Sequence, residues 1–276
     1  MRDLGATRFA VLSDLHFGSN STLSFQGSAQ DLELALDTLL GMTEVVLLNG
    51  DVMDLERGTV PLAMKREWRV VKALHPGLSE QLTRRGTVFV SGNHDAVESV
   101  TPVTESATLC GGGYRVRIEH GHRFDTGIKR WRTLTAAVTW ASGRAVRLGA
   151  VGRGVYGTMR KVESLLTGDS GPTGWLAGRS SIPAGLERRA MRWLLRSDLD
   201  GLVIGHTHRP GLWTLGSAWV LNPGASDGPG IHAAVVDLQQ RQVEWGRLER
   251  GVWTLEHTAA LPAPRFSQTV AVATED

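Results

Sequence analysis

The chain is 276 residues long, 41% apolar, with a net charge of +2, which suits one domain around a large core, interrupted by an insertion. Its single cysteine, Cys110, excludes an intrachain disulfide and a thiolate metal site and points to a reduced compartment. No window approaches the roughly 20 apolar residues of a membrane span, no signal peptide opens the chain and no repeat divides it, so a cytoplasmic protein is expected.

In chain order, Arg8 to Ser13 reads as a buried strand, and Gly18 to Gln30, rich in Ser, Asn and Gly, as the loop after it. Asp31 is expected to cap a helix in which Leu32, Leu36 and Leu39 recur at helical spacing, with Gly41 as its stop. Glu44 to Asn49 is a second strand, continuously apolar as strands covered on both faces are. Residues 61–85 carry one or two helices broken near Pro76-Gly77, and Thr87 to Ser91 is a third strand. This alternation argues for parallel crossover units. Cys110 is expected as a buried small residue before the turn Gly111-Gly112-Gly113, and Arg115 to Glu119 as an alternating strand. Gly201 to Ile204 is another short apolar strand. From Ala218 to Leu255 the pattern reads as a meander, expected to form a second sheet packed on the first, and residues 262–276 as a flexible tail.

The chemistry lies where these strands stop. Five strand ends carry Asp14-Leu15-His16, Gly50-Asp51-Val52-Met53-Asp54, Gly92-Asn93-His94-Asp95, His120-Gly121-His122 and Gly205-His206-Thr207-His208. Six of the nine histidines fall in these segments, and in parallel sheets ligands gather beyond the carboxyl ends of strands. Carboxylate, imidazole and amide groups converging there suit two divalent cations, which can clamp an in-line displacement at phosphorus, one activating water. Asp51 is the candidate bridge between them. Without thiolate, such an oxygen and nitrogen site suits Mn, Zn or Fe.

These blocks resemble, in order, those of the calcineurin-like metallophosphoesterases. The resemblance implies an α/β fold, an α-β-β-α sandwich of two mixed sheets with a helical cap insertion. It implies Asp14, His16, Asp51 and His208 around one metal, and Asp51, Asn93, His120 and His206 around the other. In the family role His94 protonates the leaving oxygen, with Asp95 orienting its ring. Asp54 reads as supporting the site rather than binding metal, and His122 fits a ligand or a bystander equally. Asn222-Pro223-Gly224 is expected as a turn at the rim of the site.

Residues 123–196 hold 14 Lys or Arg against 4 Asp or Glu, a net of +10, leaving −8 for the rest of the chain. Within the 123–200 insertion, Ile128 to Leu148 reads as an amphipathic helix, and Leu186 to Arg196 as a second with Arg188, Arg192 and Arg196 on one face. Both are expected to form a basic cap over the metals, with Arg123, Arg130 and Arg209 as candidate contacts to a phosphate-containing substrate. Within the superfamily, the segments from His120 to Asp125 and from Gly205 to Pro210 look like those of bacterial hydrolases similar to UDP-2,3-diacylglucosamine pyrophosphatase. His122 stands where those enzymes carry Asp, and His94 where the best matched carry Arg. That likeness implies a nucleotide-lipid substrate and contact with anionic lipid at the inner membrane face. A nuclease, a phosphomonoesterase, a cyclic-nucleotide phosphodiesterase and a metal-stabilised scaffold are the alternatives, nucleic acid being the less favoured partner because no basic stretch interleaved with aromatics lies outside the insertion.

Overall fold

The unbroken apolar runs of the sequence are strands covered on both faces. The computed structural model describes residues 2–17, 25, 27–52, 76–92, 95, 103–125, 185–226, 228 and 230–265. In β2 (Arg8–Leu12) and β3 (Val45–Asn49), Phe9, Val11, Val45 and Leu47 enter one core cluster, while Ala10, Leu12, Val46 and Leu48 enter another. The period of two thus sends alternate residues to two apolar layers.

Thirteen strands among the described residues form two mixed sheets. The remaining strands are β1 (Arg2–Gly5), β4 (Thr87–Val90), β5 (Val103–Thr104), β6 (Ala107–Gly111), β7 (Tyr114–Ile118), β8 (Gly201–Val203), β9 (Gly211–Leu215), β10 (Ala218–Asn222), β11 (Ile231–Asp237), β12 (Gln242–Glu249) and β13 (Val252–Ala260). The first sheet has the order β13-β12-β11-β2-β3-β4-β5 and the second β1-β6-β7-β8-β10-β9. Between them lies a core that includes Val11, Leu47, Val116, Ile118, Trp219 and Trp245. Helices α1 (Ala29–Met42) and α2 (Pro76–Thr83) cover the outer face of the first sheet through Leu32, Leu36, Leu39, Leu78 and Leu82. Helix α3 (Gly185–Leu194) covers the second through Leu186, Ala190, Met191 and Leu194. The result is the helix, sheet, sheet, helix layering of the expected α/β fold.

Several expectations change in detail. Helix α1 is capped by Ser28, whose side chain accepts from the Asp31 N–H while the Asp31 carboxylate accepts from the Ser28 N–H. Asp31 is therefore the third residue of a capping box rather than the cap itself. Gly41 lies inside the helix, which ends at Thr43, where the Thr43 N–H and hydroxyl both reach the Leu39 carbonyl. The meander is divided between the sheets. β10 pairs with β8 and β9 in the second sheet, whereas β11 pairs antiparallel with β2 and extends the first. The crossovers from β2 through β3 to β4 run in one direction and leave the other flank of β2 open for β11; alternation alone carries no information about which edge a strand joins. Cys110 is exposed, because at the end of β6 it points away from the inter-sheet core that holds Leu109.

The chain beyond β13 is tied down as far as Arg265. Tyr114 donates its hydroxyl to the Pro262 carbonyl at 2.6 Å. Arg265 donates from its backbone to Asp200 and from its guanidinium to the Leu194 and Leu199 carbonyls at 3.2 and 2.8 Å. A cation against the last carbonyls of α3 is favourable there. The expected tail is thus anchored through 262–265, and 266–276 lie outside the described residues, as does the helix expected over 128–148.

Candidate metal centre

β2, β3 and β4 are parallel neighbours, so their carboxyl ends open on one side of the sheet; β7 and β8 do the same in the second sheet. Backbone pairing continues past these ends. The Asp14 and His16 N–H groups donate to the Gly50 and Asp51 carbonyls at 3.1 and 2.9 Å, and Gly205 N–H donates to the His120 carbonyl at 2.9 Å. Asn49 joins the two sheets, its side-chain amide donating to the Glu119 carbonyl at 3.2 Å.

Here the chain turns sharply. Asp14, His16, Asp51, His206 and His208 have φ between 47° and 68°, and among the described non-glycine residues only Arg241 and Arg250 share that left-handed conformation. Residues with a Cβ resist it, and such concentration of strain at one place marks a functional site. The preceding glycines let the loops meet. A Cβ on Gly92 would lie 2.0 Å from Asp51 Oδ1, and one on Gly205 1.9 Å from Ser13 Oγ.

The turns bring two sets of donors together. Asp14, His16 and His208 form one group able to hold a metal ion, and Asp51, His120 and His206 a second. Asp14 and Asp51 are buried, as is His120. His16 Nε2 lies 3.3 Å from His208 Nε2, and His208 Nε2 lies 3.3 Å from Asp14 Oδ1. His120 Nε2 stands between the groups, 3.1 Å from Asp51 Oδ2 and 3.9 Å from Asp14 Oδ1.

His120 tests whether a cation fits. Its Nδ1 lies 2.9 Å from the Asn49 carbonyl, which only accepts, so Nδ1 carries a proton. Nε2 lies off hydrogen-bonding direction to Asp51 and has no hydrogen-bond partner among the described residues. In the neutral ring, an unprotonated buried nitrogen then lies 3.1 Å from a carboxylate oxygen with no proton between them, an arrangement that positive charge nearby stabilises. The donor set of imidazoles and carboxylates fits a divalent ion of the Mn, Zn or Fe kind.

Without metal, a proton supplies that charge. Burial alone would push the His120 pKa down, but the Asp51 and Asp14 carboxylates outweigh it and lift the pKa to about 9. Asp14 shows the complement: burial would raise it, and His208 and His120 bring it down to about 2. For His122, burial and then the nearby His120 push the pKa down to about 4. A raised folded-state pKa stabilises the fold below the ordinary value, and that stability is lost as pH climbs through the raised one. The metal-free protein should therefore lose stability as pH rises from about 6.5 to about 9. A cation held at Nε2 would have to displace that proton, so its apparent affinity should rise up to about tenfold per pH unit below about 9 and then level off. Zinc titrations against a competing chelator across that range check this, and an affinity indifferent to pH would contradict it.

Other groups hold the donors in place. Ser13 Oγ lies 2.5 Å from Asp14 Oδ2 and 2.9 Å from the Asn49 carbonyl. The His206 N–H donates to the Asp14 carboxylate, and the His206 ring meets Asp125. Asn222, fully buried rather than at a rim, donates to the Gly205 carbonyl and lies 3.0 Å from Thr207 Oγ1, which donates to buried Glu187 on α3 at 2.9 Å. Asp95 Oδ2 accepts from the Asp51 and Gly92 N–H groups at 2.7 and 2.9 Å. Of these, Ser13 and Asn49 carry no signal in the sequence beyond being polar at the ends of apolar runs, and Glu187 none beyond its place in a charged helix.

The remaining candidates stand as follows. His122 begins a short 3-10 turn (His122–Phe124), its ring 5.8 Å from that of His120, and it joins neither group of donors. Arg123 donates to Glu119 at 2.7 Å and stacks over Trp193 at 4.2 Å, contacts that hold it against α3. Arg209 follows His208 and is half-buried. Asn93, His94, Asp54 and Arg130 lie outside the described residues.

The family model for the calcineurin-like phosphoesterases matches residues 7–210, more than half of the chain, and the chain belongs to that family. Among solved structures, it is similar to Vps29 with zinc from Entamoeba histolytica, at 15% identity over 92% of this chain and 98% of that one, with a TM-score of 0.47. It is similar also to the phosphoesterase YfcE from E. coli, at 14% identity over 92% and 99%, with a TM-score of 0.44. A conserved protein from Streptococcus pneumoniae TIGR4, described as a predicted phosphoesterase, matches at 17% identity over 91% and 97%, with a TM-score of 0.42. All three scores lie below 0.5, and the family assignment rests on the family model alone. No curated protein matches the chain. No helix among the described residues is long and apolar enough to cross a membrane.

Proposed function

We propose that the protein is a dinuclear-metal phosphoesterase that hydrolyses a phosphodiester or pyrophosphate bond. The observation that carries this is His120 Nε2, buried without a hydrogen-bond partner among the described residues and 3.1 Å from Asp51, at the junction of two donor groups. Asp14, His16, Asp51 and His208 would hold one cation, and Asp51, Asn93, His120 and His206 the other, Asp51 serving both. Bound divalent cations supply Lewis-acid charge to phosphoryl oxygens and lower the pKa of water. The chain does the rest. Asn49, through the His120 Nδ1 proton, fixes the ring so that Nε2 lies beside Asp51, and Asp95 clamps the backbones of Asp51 and Gly92 together.

His94 would give a proton to the leaving oxygen. His94→Ala is therefore expected to keep both metals while lowering turnover by roughly 10²- to 10⁴-fold, with a smaller loss for a substrate whose leaving group needs no proton. Equal losses for good and poor leaving groups would remove His94 from that role.

The finer proposal is a nucleotide-lipid pyrophosphate such as UDP-2,3-diacylglucosamine, approached at the inner membrane face through the basic insertion. It is supported by the segments from His120 to Asp125 and from Gly205 to Pro210. Incubation with UDP-diacylglucosamine, a short DNA and a simple phosphomonoester, side by side, tests it. Release of UMP supports the lipid substrate, whereas nucleotides or phosphate alone would redirect it. No turnover of any of them with both metals bound would favour a scaffold.

A further inference from the structure

Asp125 is the last residue of the segment from His120, and nothing above gives it a chemical task. Its Oδ2 lies 3.1 Å from His206 Nε2, and the side chains of His206 and Asp125 are only 14% and 13% exposed. Solvent therefore does little to loosen the pair. An ionised carboxylate accepts and cannot donate, so the proton between them belongs to Nε2. That leaves Nδ1 as the ring nitrogen with a lone pair.

Both partners are fixed from other directions. Asp125 ends the 3-10 turn, its N–H donating to the His122 carbonyl at 3.0 Å. Phe124 beside it is buried in the cluster under α3, and Arg189 donates to the Phe124 carbonyl. His206 is pinned through its backbone N–H, which donates to the Asp14 carboxylate at 3.0 and 3.2 Å. Its ring, the remaining freedom, is held by Asp125 and lies edge-on to the His120 ring, their centroids 5.4 Å apart.

We propose that Asp125 is a positioning residue that locks His206 as the Nε2–H tautomer and so offers Nδ1 to the cation shared with Asp51 and His120. This rests on the dinuclear reading given above. The carboxylate fixes the ring orientation and so presents Nδ1 as the ligand atom, as outer partners of metal-bound histidines do.

Zinc binding to the full chain, measured against a competing chelator, tests the idea. Asp125→Ala should weaken one of the two zinc sites by about 10- to 100-fold and leave the other within a few-fold. Asp125→Asn should lose less, since its amide oxygen still accepts from Nε2–H. In the zinc-loaded wild type, long-range ¹H–¹⁵N spectra should show His206 protonated at Nε2 with zinc on Nδ1, its signal identified by loss in His206→Gln. Zinc on Nε2, or an Asp125→Ala protein that binds both ions as the wild type does, overturns the proposal; should that variant fail to fold, the wild-type spectrum decides. A wild type that binds two zinc ions but fails these tests sinks the role of Asp125 only. One that binds none sinks the dinuclear reading and this proposal with it.

Discussion

Replacing Asp51 with asparagine should strip both cations and abolish phosphoester hydrolysis together. Asparagine keeps the volume of this buried side chain and tolerates its φ of 50°, so the fold should survive. What disappears is the negative charge 3.1 Å from His120 Nε2. A bound cation supplies several kcal/mol of charge stabilisation at the transition state, and about 3 to 4 kcal/mol corresponds to a loss of roughly 10²- to 10³-fold or more. Chelation of the wild type should reproduce that loss, and a chelator should then change nothing further in the variant. Metal analysis of the folded protein beside a rate measurement checks both. An Asp51→Asn protein with two ions and full rate would remove Asp51 from the centre.

Gly92→Ala should do comparable damage without altering any donor. The added methyl would stand 2.0 Å from Asp51 Oδ1 and 2.3 Å from the Asp51 backbone nitrogen. The carboxylate could rotate, but the nitrogen cannot, and it already donates to Asp95. The β3 and β4 loops must separate. Overpacking of this kind costs about 1–3 kcal/mol, and a shift on the order of 1 Å at the reacting groups costs about 10²-fold in rate. Gly41→Ala is the control: inside α1, with nothing within 4 Å of the new methyl, it should raise stability by about 0.5–1 kcal/mol. Thermal unfolding and turnover of the two variants separate the effects; a Gly92→Ala enzyme as active as the wild type would show that the loops are not locked together.

Much of this centre was legible because strand alternation and loop chemistry are local. The run from Phe9 to Leu12 announces a strand covered on both faces, and Asp14 and His16 follow directly where such a strand must end. The structure does bring Asp14, His16 and His208 together, and Asp51, His120 and His206 beside them. What the sequence left unread is pairwise and long-range. Ser13, Asn49 and Glu187 become meaningful only when the Asp14 loop, the Glu119 carbonyl and Thr207 arrive from elsewhere in the chain. The division of the meander was hidden for the same reason, since β10 and β11 have similar patterns but different neighbours. Ser28 and Asp31 are both good capping residues, and only geometry shows that the Ser28 hydroxyl takes the Asp31 N–H while the Asp31 carboxylate takes the Ser28 N–H.

The left-handed turns at Asp14, His16, Asp51, His206 and His208 set heat resistance against turnover. Each costs roughly 1 kcal/mol, in a molecule whose whole margin over unfolding is on the order of 5–15 kcal/mol. Selection for thermotolerance alone would favour glycine or asparagine at these places, and would produce a sturdier, inert protein.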